Sequence, residues 1–229
     1  MSRPVLIGLH GRKGSGKDTA FGYIEDWAEG RGLTAARRGF ADKLKHSALL
    51  ALGFQIAEQD AIVLADSLKN LGEITTVIPG QSVLYTIEGR KFLQLYGKEA
   101  HRDIFGDDFW VDALLPGGFV NAWPADFDGH TTRPAWHRNF DFADICVITD
   151  CRFGNEAQRI RDLGGVVWAI DRPVVEDGDD HVSEISLPPE LVDLTIDNNG
   201  SLHKFGVEIN SEMTIAFHMR FVSSQGEEA

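Results

Sequence analysis

Positive charge is in short supply in this chain: 22 Lys and Arg stand against 35 Asp and Glu, leaving a net charge of −13. A general nucleic-acid binder carries the opposite electrostatic footprint, so that class is set aside, and any phosphate ligand must find a local cluster of cations. Cysteine is scarcer still, with only Cys146 and Cys151. On one extended segment, five steps of about 3.3 Å hold them beyond disulfide reach, so reduced thiols in a cytoplasmic protein are expected. Long apolar runs are missing as well. Nothing approaches the roughly 20 residues that span a bilayer, and Met1-Ser2-Arg3-Pro4 leads straight into the first apolar run without a signal-peptide pattern. A soluble, unsecreted protein without a membrane partner is the expectation. No internal repeat or low-complexity tract is visible.

What is present is enough for a full core: 43% of the 229 residues are hydrophobic, which suits one domain over 1–229 with insertions. The most informative stretch is Gly11-Arg12-Lys13-Gly14-Ser15-Gly16-Lys17-Asp18-Thr19, after the apolar run Val5 to Leu9 and before an amphipathic helical pattern. Glycines let a backbone curl around a phosphate with its N–H groups pointing inward, Lys17 adds a mobile charge, and the helix start adds unpaired N–H groups and a dipole. The stretch therefore reads as a polyphosphate-binding loop. It departs from Gly-x4-Gly-Lys-[Ser/Thr] at one position, Asp18, with Thr19 following. Two readings of the magnesium contact stand: Asp18 acting through water, or Thr19 supplying the hydroxyl.

Apolar runs at Val5 to Leu9, Thr34 to Phe40, Ile145 to Thr149, Val166 to Ile170 and Leu191 to Ile196 predict five strands. Runs this continuous suit a parallel sheet buried on both faces, with helices filling the right-handed crossovers: a doubly wound α/β fold. Helices are predicted over 16–29, 42–52, 58–71, 90–104, 155–163 and 201–217. Leu71 to Tyr85, broken by Pro79-Gly80, reads as a loop or short hairpin. Residues 116–142 mix Gly, Pro and aromatics too irregularly for a helix and read as an insertion packed on the body, or a lid carrying Arg133 or Arg138. The tail from Ser223 is expected to fray.

Three further groups bear on chemistry. Along Gly89 to Arg102, helical spacing places Arg90, Gln94 and His101 near one face, where Arg90 could clamp a phosphate monoester, Gln94 read a base edge and Arg102 add a second phosphate contact. The competing reading is an exposed amphipathic helix with solvated charges. The run Ile145 to Glu156 is an apolar strand ending in Asp150 and Arg152. Ligands of doubly wound sheets sit at the carboxyl ends of strands, so Asp150 is placed to orient metal-bound water and Arg152 to neutralise a transferring phosphoryl group, unless they merely cap the next helix. Asp42 and Lys43, after the second strand, lie near an acceptor by the same rule, although Asp42 also fits an ordinary N-cap. His181, Ser183 and Glu184 lack zinc-ligand spacing.

With these segments in hand, the chain resembles the deoxynucleoside monophosphate kinases of bacteriophages, within the P-loop small-molecule kinases. The resemblance rests on Gly14 to Thr19, Arg90 to Arg102, Thr149 to Glu156, Asp180-His181-Val182-Ser183-Glu184 and Asp197 to Ser201. It implies transfer of the γ-phosphoryl of ATP, with Mg²⁺, to a deoxynucleoside 5′-monophosphate on a five-stranded parallel sheet, in the host cytoplasm and often as a homodimer. Asn199 and Gly200 become neighbours of the donor adenine, and Gln94, Trp110 and Tyr85 bear on base selectivity. An ionised acceptor phosphate needs no general base. Two alternatives remain: an alcohol acceptor, as in kinases of dephospho-coenzyme A, or an ATPase or switch with no acceptor.

Overall fold

A computed structural model describes residues 4–70, 73–77, 84–116, 135–173 and 187–225. The chain forms two compact units, one of residues 1–39 and 114–229 and the other of residues 40–113.

In the first unit, β1 (Val5–His10), β2 (Ala35–Arg38), β5 (Ile145–Ile148), β6 (Val166–Asp171) and β7 (Leu194–Asp197) form one sheet in the order β2-β5-β1-β6-β7. Every pairing is parallel. The expected doubly wound sheet is present, with β1 at the centre. β1 and β5 are uninterrupted apolar runs because both faces are covered, so alternation has no polar side to show.

One face carries α1 (Lys17–Glu29) and α8 (Leu202–Gln225). Val5, Ile7 and Leu9 point there and pack in one core with Ile24 and Trp27 of α1 and Phe205, Ile209 and Met213 of α8. The alternate residues Leu6, Gly8 and His10 face the other side. α7 (Gly154–Asp162) packs there so closely that a Cβ at Gly8 would lie 2.5 Å from Ile160 Cδ1.

Several boundaries differ from the sequence reading. Pro188-Pro189 opens a 3₁₀ turn over Pro189–Leu191, so β7 begins only at Leu194. α8 runs to Gln225, past the expected end at 217. Of the 116–142 insertion, 117–134 (including Arg133) lie outside the described residues. Ala135–Phe140 form a 3₁₀ helix that buries His137 and Phe140 and leaves Arg138 exposed.

The second unit holds α2 (Phe40–Ala51), α3 (Glu58–Asn70), an antiparallel hairpin of β3 (Glu73–Val77) and β4 (Leu84–Glu88), and α4 (Gly89–Gly97). Of the two readings for Leu71 to Tyr85, the hairpin is the one observed. Leu49, Ala61, Ala65 and Leu93 centre its core. The single helix expected over 90–104 is interrupted: after α4 comes a π turn, Lys98–Arg102, and then α5 (Asp103–Phe105) and α6 (Phe109–Leu114). One extra residue per hydrogen-bonded ring shifts the helical phase, so His101 leaves the face that Arg90 and Gln94, four residues apart within α4, still share.

Candidate active site

The carboxyl ends of the first unit's strands carry its polar machinery, and the loop between β1 and α1 forms the centre. Gly11, Gly14 and Gly16 adopt φ of +145°, +77° and +104°, values that residues with a Cβ rarely tolerate. A Cβ at Gly16 would also collide with Asn198 Nδ2, and one at Gly11 would lie 2.6 Å from Ser15 Oγ. Asn198, buried at the end of β7, donates to Ser15 O at 2.8 Å and so supports the loop from beneath. Arg172, at the end of β6, donates to Gly14 O at 3.2 Å.

Lys17 Nζ donates to Gly11 O at 2.7 Å and Arg12 O at 2.8 Å, which leaves one of its three donors for a ligand oxygen. Burial lowers its pKa, as does the Arg152 guanidinium, while Asp18 and Asp150 pull the other way. These four charges therefore share one electrostatic neighbourhood. Ser15 Oγ is buried without a hydrogen-bond partner, the orphan polar atom expected of a loop shaped for a ligand.

Asp18 and Thr19 are both exposed on the first turn of α1, and the Asp18 carboxylate accepts from Arg37 Nη1 at 2.6 Å. Asp150 follows β5, with its carboxylate so near Gly39 that a Cβ there would lie 2.8 Å from Oδ2. Arg152 is exposed, and its guanidinium makes no hydrogen bond or ion pair among the described residues. Glu156, 3% exposed, accepts from the backbone N–H of Arg152 at 2.7 Å and of Phe153 at 3.0 Å, fixing the turn into α7. Arg12 and Lys13 are exposed beside the loop. A cleft of about 650 Å³ opens next to it, lined by His10, Arg12, Ser15, Arg152, Asp171 and Arg172 among others. Asn199 and Gly200 lie in the turn between β7 and α8, where Asn199 N–H bonds Asp197 Oδ1.

In the second unit the expected acceptor residues differ in availability. Asp42 is not an N-cap: α2 starts at Phe40, and Asp42 is buried in its first turn, 3.7 Å from Lys45 Nζ. Lys43 pairs with Glu58 at 2.8 Å. Trp110 is 3% exposed and donates its indole N–H to Gly97 O at 3.0 Å. His101 packs among Tyr96, Phe109 and Trp110, with ring centroids 4.5–5.0 Å away. Arg90 is half-buried without a side-chain bond to a described residue, Gln94 is exposed, and Arg102 sits at the end of the π turn. His181, Ser183 and Glu184 lie outside the described residues. No group of three or more His, Cys, Asp or Glu able to hold a metal by itself occurs among the described residues. One or two carboxylates beside a polyphosphate is, however, the usual donor set for magnesium carried on a nucleotide, and Asp18 and Asp150 fit it.

Sequence reasoning missed His10, Arg37, Arg172, Asn198 and Glu156. All act through partners, most of them distant in the chain, and only Glu156, three residues past Phe153, had a local signal in the spacing of a helix start.

A family model described as deoxynucleotide monophosphate kinase matches residues 43–209. A protein of Acanthamoeba polyphaga mimivirus, provisionally named a deoxynucleotide monophosphate kinase, is 31% identical over 90% of this chain and 95% of its own length. The deoxynucleoside-5′-monophosphate kinase of Escherichia phage T5 is 26% identical over 82% of this chain and 87% of its own. The deoxynucleotide monophosphate kinase of Escherichia phage RB69 is 29% identical over 50% and 40%. The chain belongs to the deoxynucleotide monophosphate kinase family.

Proposed function

We propose that the protein transfers the γ-phosphoryl group of ATP to the phosphate of a deoxynucleoside 5′-monophosphate, releasing ADP and the deoxynucleoside diphosphate. The observation that carries this reading is the loop itself: positive-φ glycines, an orphan Ser15 hydroxyl and Lys17 held over the loop by two carbonyls, in a member of a kinase family.

An oxygen of the acceptor phosphate bonds the γ-phosphorus while the bond from that phosphorus to the β,γ-bridging oxygen breaks, and the electron pair leaves with ADP. The acceptor oxygen is already ionised, so no residue must remove a proton. This assigns the protein positioning and charge neutralisation. Gly11 to Thr19 hold the donor phosphates, Lys17 supplies a fixed cation and Arg152 faces the transferring group. Asp18 or Thr19, together with Asp150, would hold a magnesium ion carried on the nucleotide, which would screen the phosphate charge. Asn199 and Gly200 border the donor base. Arg90 and Arg102 take the acceptor phosphate, while Gln94 contacts its base and Trp110 shapes the surrounding wall. Lys43 ties α2 to α3 through its pair with Glu58, and Asp42 lies beside Lys45 one turn on within α2.

The test is a coupled assay of ADP release with ATP alone and with dAMP, dCMP, dGMP, dTMP and the ribonucleotides. The expected result is negligible release with ATP alone and rapid release with at least one deoxynucleotide. Equal release with and without monophosphate would identify an ATPase instead.

A further inference from the structure

His10 ends β1 on the sheet face occupied by α7 and belongs to none of the motifs singled out in the sequence. Its Nδ1 lies 3.0 Å from Cys151 O. A ring nitrogen facing a carbonyl must donate, so the proton sits on Nδ1 and the lone pair of neutral Nε2 faces the Leu187 N–H, 3.5 Å away. The Cys151 carbonyl shares its peptide plane with the Arg152 N–H, which donates to Glu156 Oε2 at 2.7 Å. That single plane is therefore held at both ends, by His10 on one side and by a buried carboxylate on the other. The Arg152 guanidinium has no side-chain anchor among the described residues, so its aim depends on the backbone from which it springs.

Resting on the phosphoryl-transfer reading above, we infer that His10 is a positioning residue that fixes the Cys151–Arg152 peptide and thereby points the Arg152 guanidinium at the phosphoryl group beside Lys17. Burial keeps the imidazole neutral, and Lys17 reinforces this; the hydrogen bond to Cys151 O opposes it. Neutrality matters because a second proton would remove the acceptor at Nε2 and place another cation beside Lys17 and Arg152. A purely packing role would not require Nδ1–H, nor an anchored peptide at a residue whose guanidinium has no partner among the described residues.

The experiment is steady-state kinetics on the purified full chain bearing His10→Leu, His10→Asn or His10→Gln, each also made in an Arg152→Ala background, with thermal melts as a folding control. His10→Leu is expected to lower kcat about 10-fold while changing the KM for ATP less than about 3-fold. In the Arg152→Ala background the same replacement should change kcat less than about 2-fold, since two residues acting as one unit are not additive. His10→Asn, whose amide Nδ2 stands where the imidazole Nδ1 stood and can donate to Cys151 O, should recover most of the lost turnover, and Gln, whose amide reaches the Nε2 position instead, should recover little. If the Leu variant does not fold, His10→Gln takes its place in the same comparison. Unchanged kcat in the non-donating variants, or a loss of equal size with and without Arg152, overturns the inference while leaving the kinase reading intact. Failure of the unmodified protein to form any deoxynucleoside diphosphate would instead overturn the kinase reading.

Discussion

The two compact units of this chain use their polar side chains differently. In the first, many of the polar groups around the phosphate-binding loop are tied to backbone: Lys17 to two loop carbonyls, Asn198 to Ser15 O, Arg172 to Gly14 O, Glu156 to two amides and His10 to Cys151 O. In the second, several side chains of α2 are tied to other side chains, with Lys43 on Glu58, Lys45 on Asp66 and Ser47 on Tyr96, while Arg90 and Gln94 stay outside these pairs. The first arrangement fixes a path for the main chain, and the phosphate-binding chemistry follows from that path. The second fixes a scaffold and leaves a few side chains for a ligand. Changes in the first unit should therefore act on turnover and folding, and changes at the free residues of the second on acceptor affinity.

Lys17→Met breaks this contrast most severely. It removes the fixed cation while keeping the stem, so kcat should fall by about 10³-fold, with a modest drop in melting temperature because two loop carbonyls lose their donor, read by the coupled assay and a melt. Gly16→Ala comes next. Forcing a Cβ into φ +104° against Asn198 should cost about 2 kcal/mol of stability, seen in a denaturant titration, and should weaken ATP binding. Arg90→Ala sharpens the comparison from the other unit: the KM for the mononucleotide should rise about 10-fold or more, with ATP affinity unchanged by calorimetry.

The smallest effect concerns pH. The His10 pKa is lowered in the folded protein, so the folded state takes up the proton less readily than the unfolded chain. Its share of stability is present above its ordinary value near 6.5 and is lost as pH falls through the lowered folded value. The melting temperature of the unmodified protein should consequently fall more steeply below pH 6.5 than that of His10→Gln. Equal slopes would contradict this.

How much of this was legible in the sequence follows the same division. The loop could be read because its glycines are dictated by local conformation, and β1 and β5 because burial on both faces leaves uninterrupted apolar runs. Asn198 was not singled out as a support of the loop, since only the three-dimensional register of β7 shows that its amide faces Ser15 O. Arg37 and Arg172 carry no local signature: their partners Asp18 and Gly14 lie 19 and 158 residues away. The π turn was hidden because Lys98 to Arg102 has an ordinary helical composition, and the phase shift it introduces decides which side chains of the Arg90 to Arg102 segment can act together. In the sequence Trp110 stands as a contact of the acceptor base and His101 as part of the helix face that holds the acceptor. In the fold their polar atoms are already bonded to Gly97 O and Tyr96 O.

The most direct test of the account follows the phosphorus itself. The protein is mixed with ATP labelled at the γ-phosphate and a deoxynucleoside monophosphate, and the products are separated. The label is expected in the deoxynucleoside diphosphate, at a rate that collapses in the Lys17→Met variant. Label appearing only as inorganic phosphate, or a Lys17→Met variant with undiminished transfer, would contradict it.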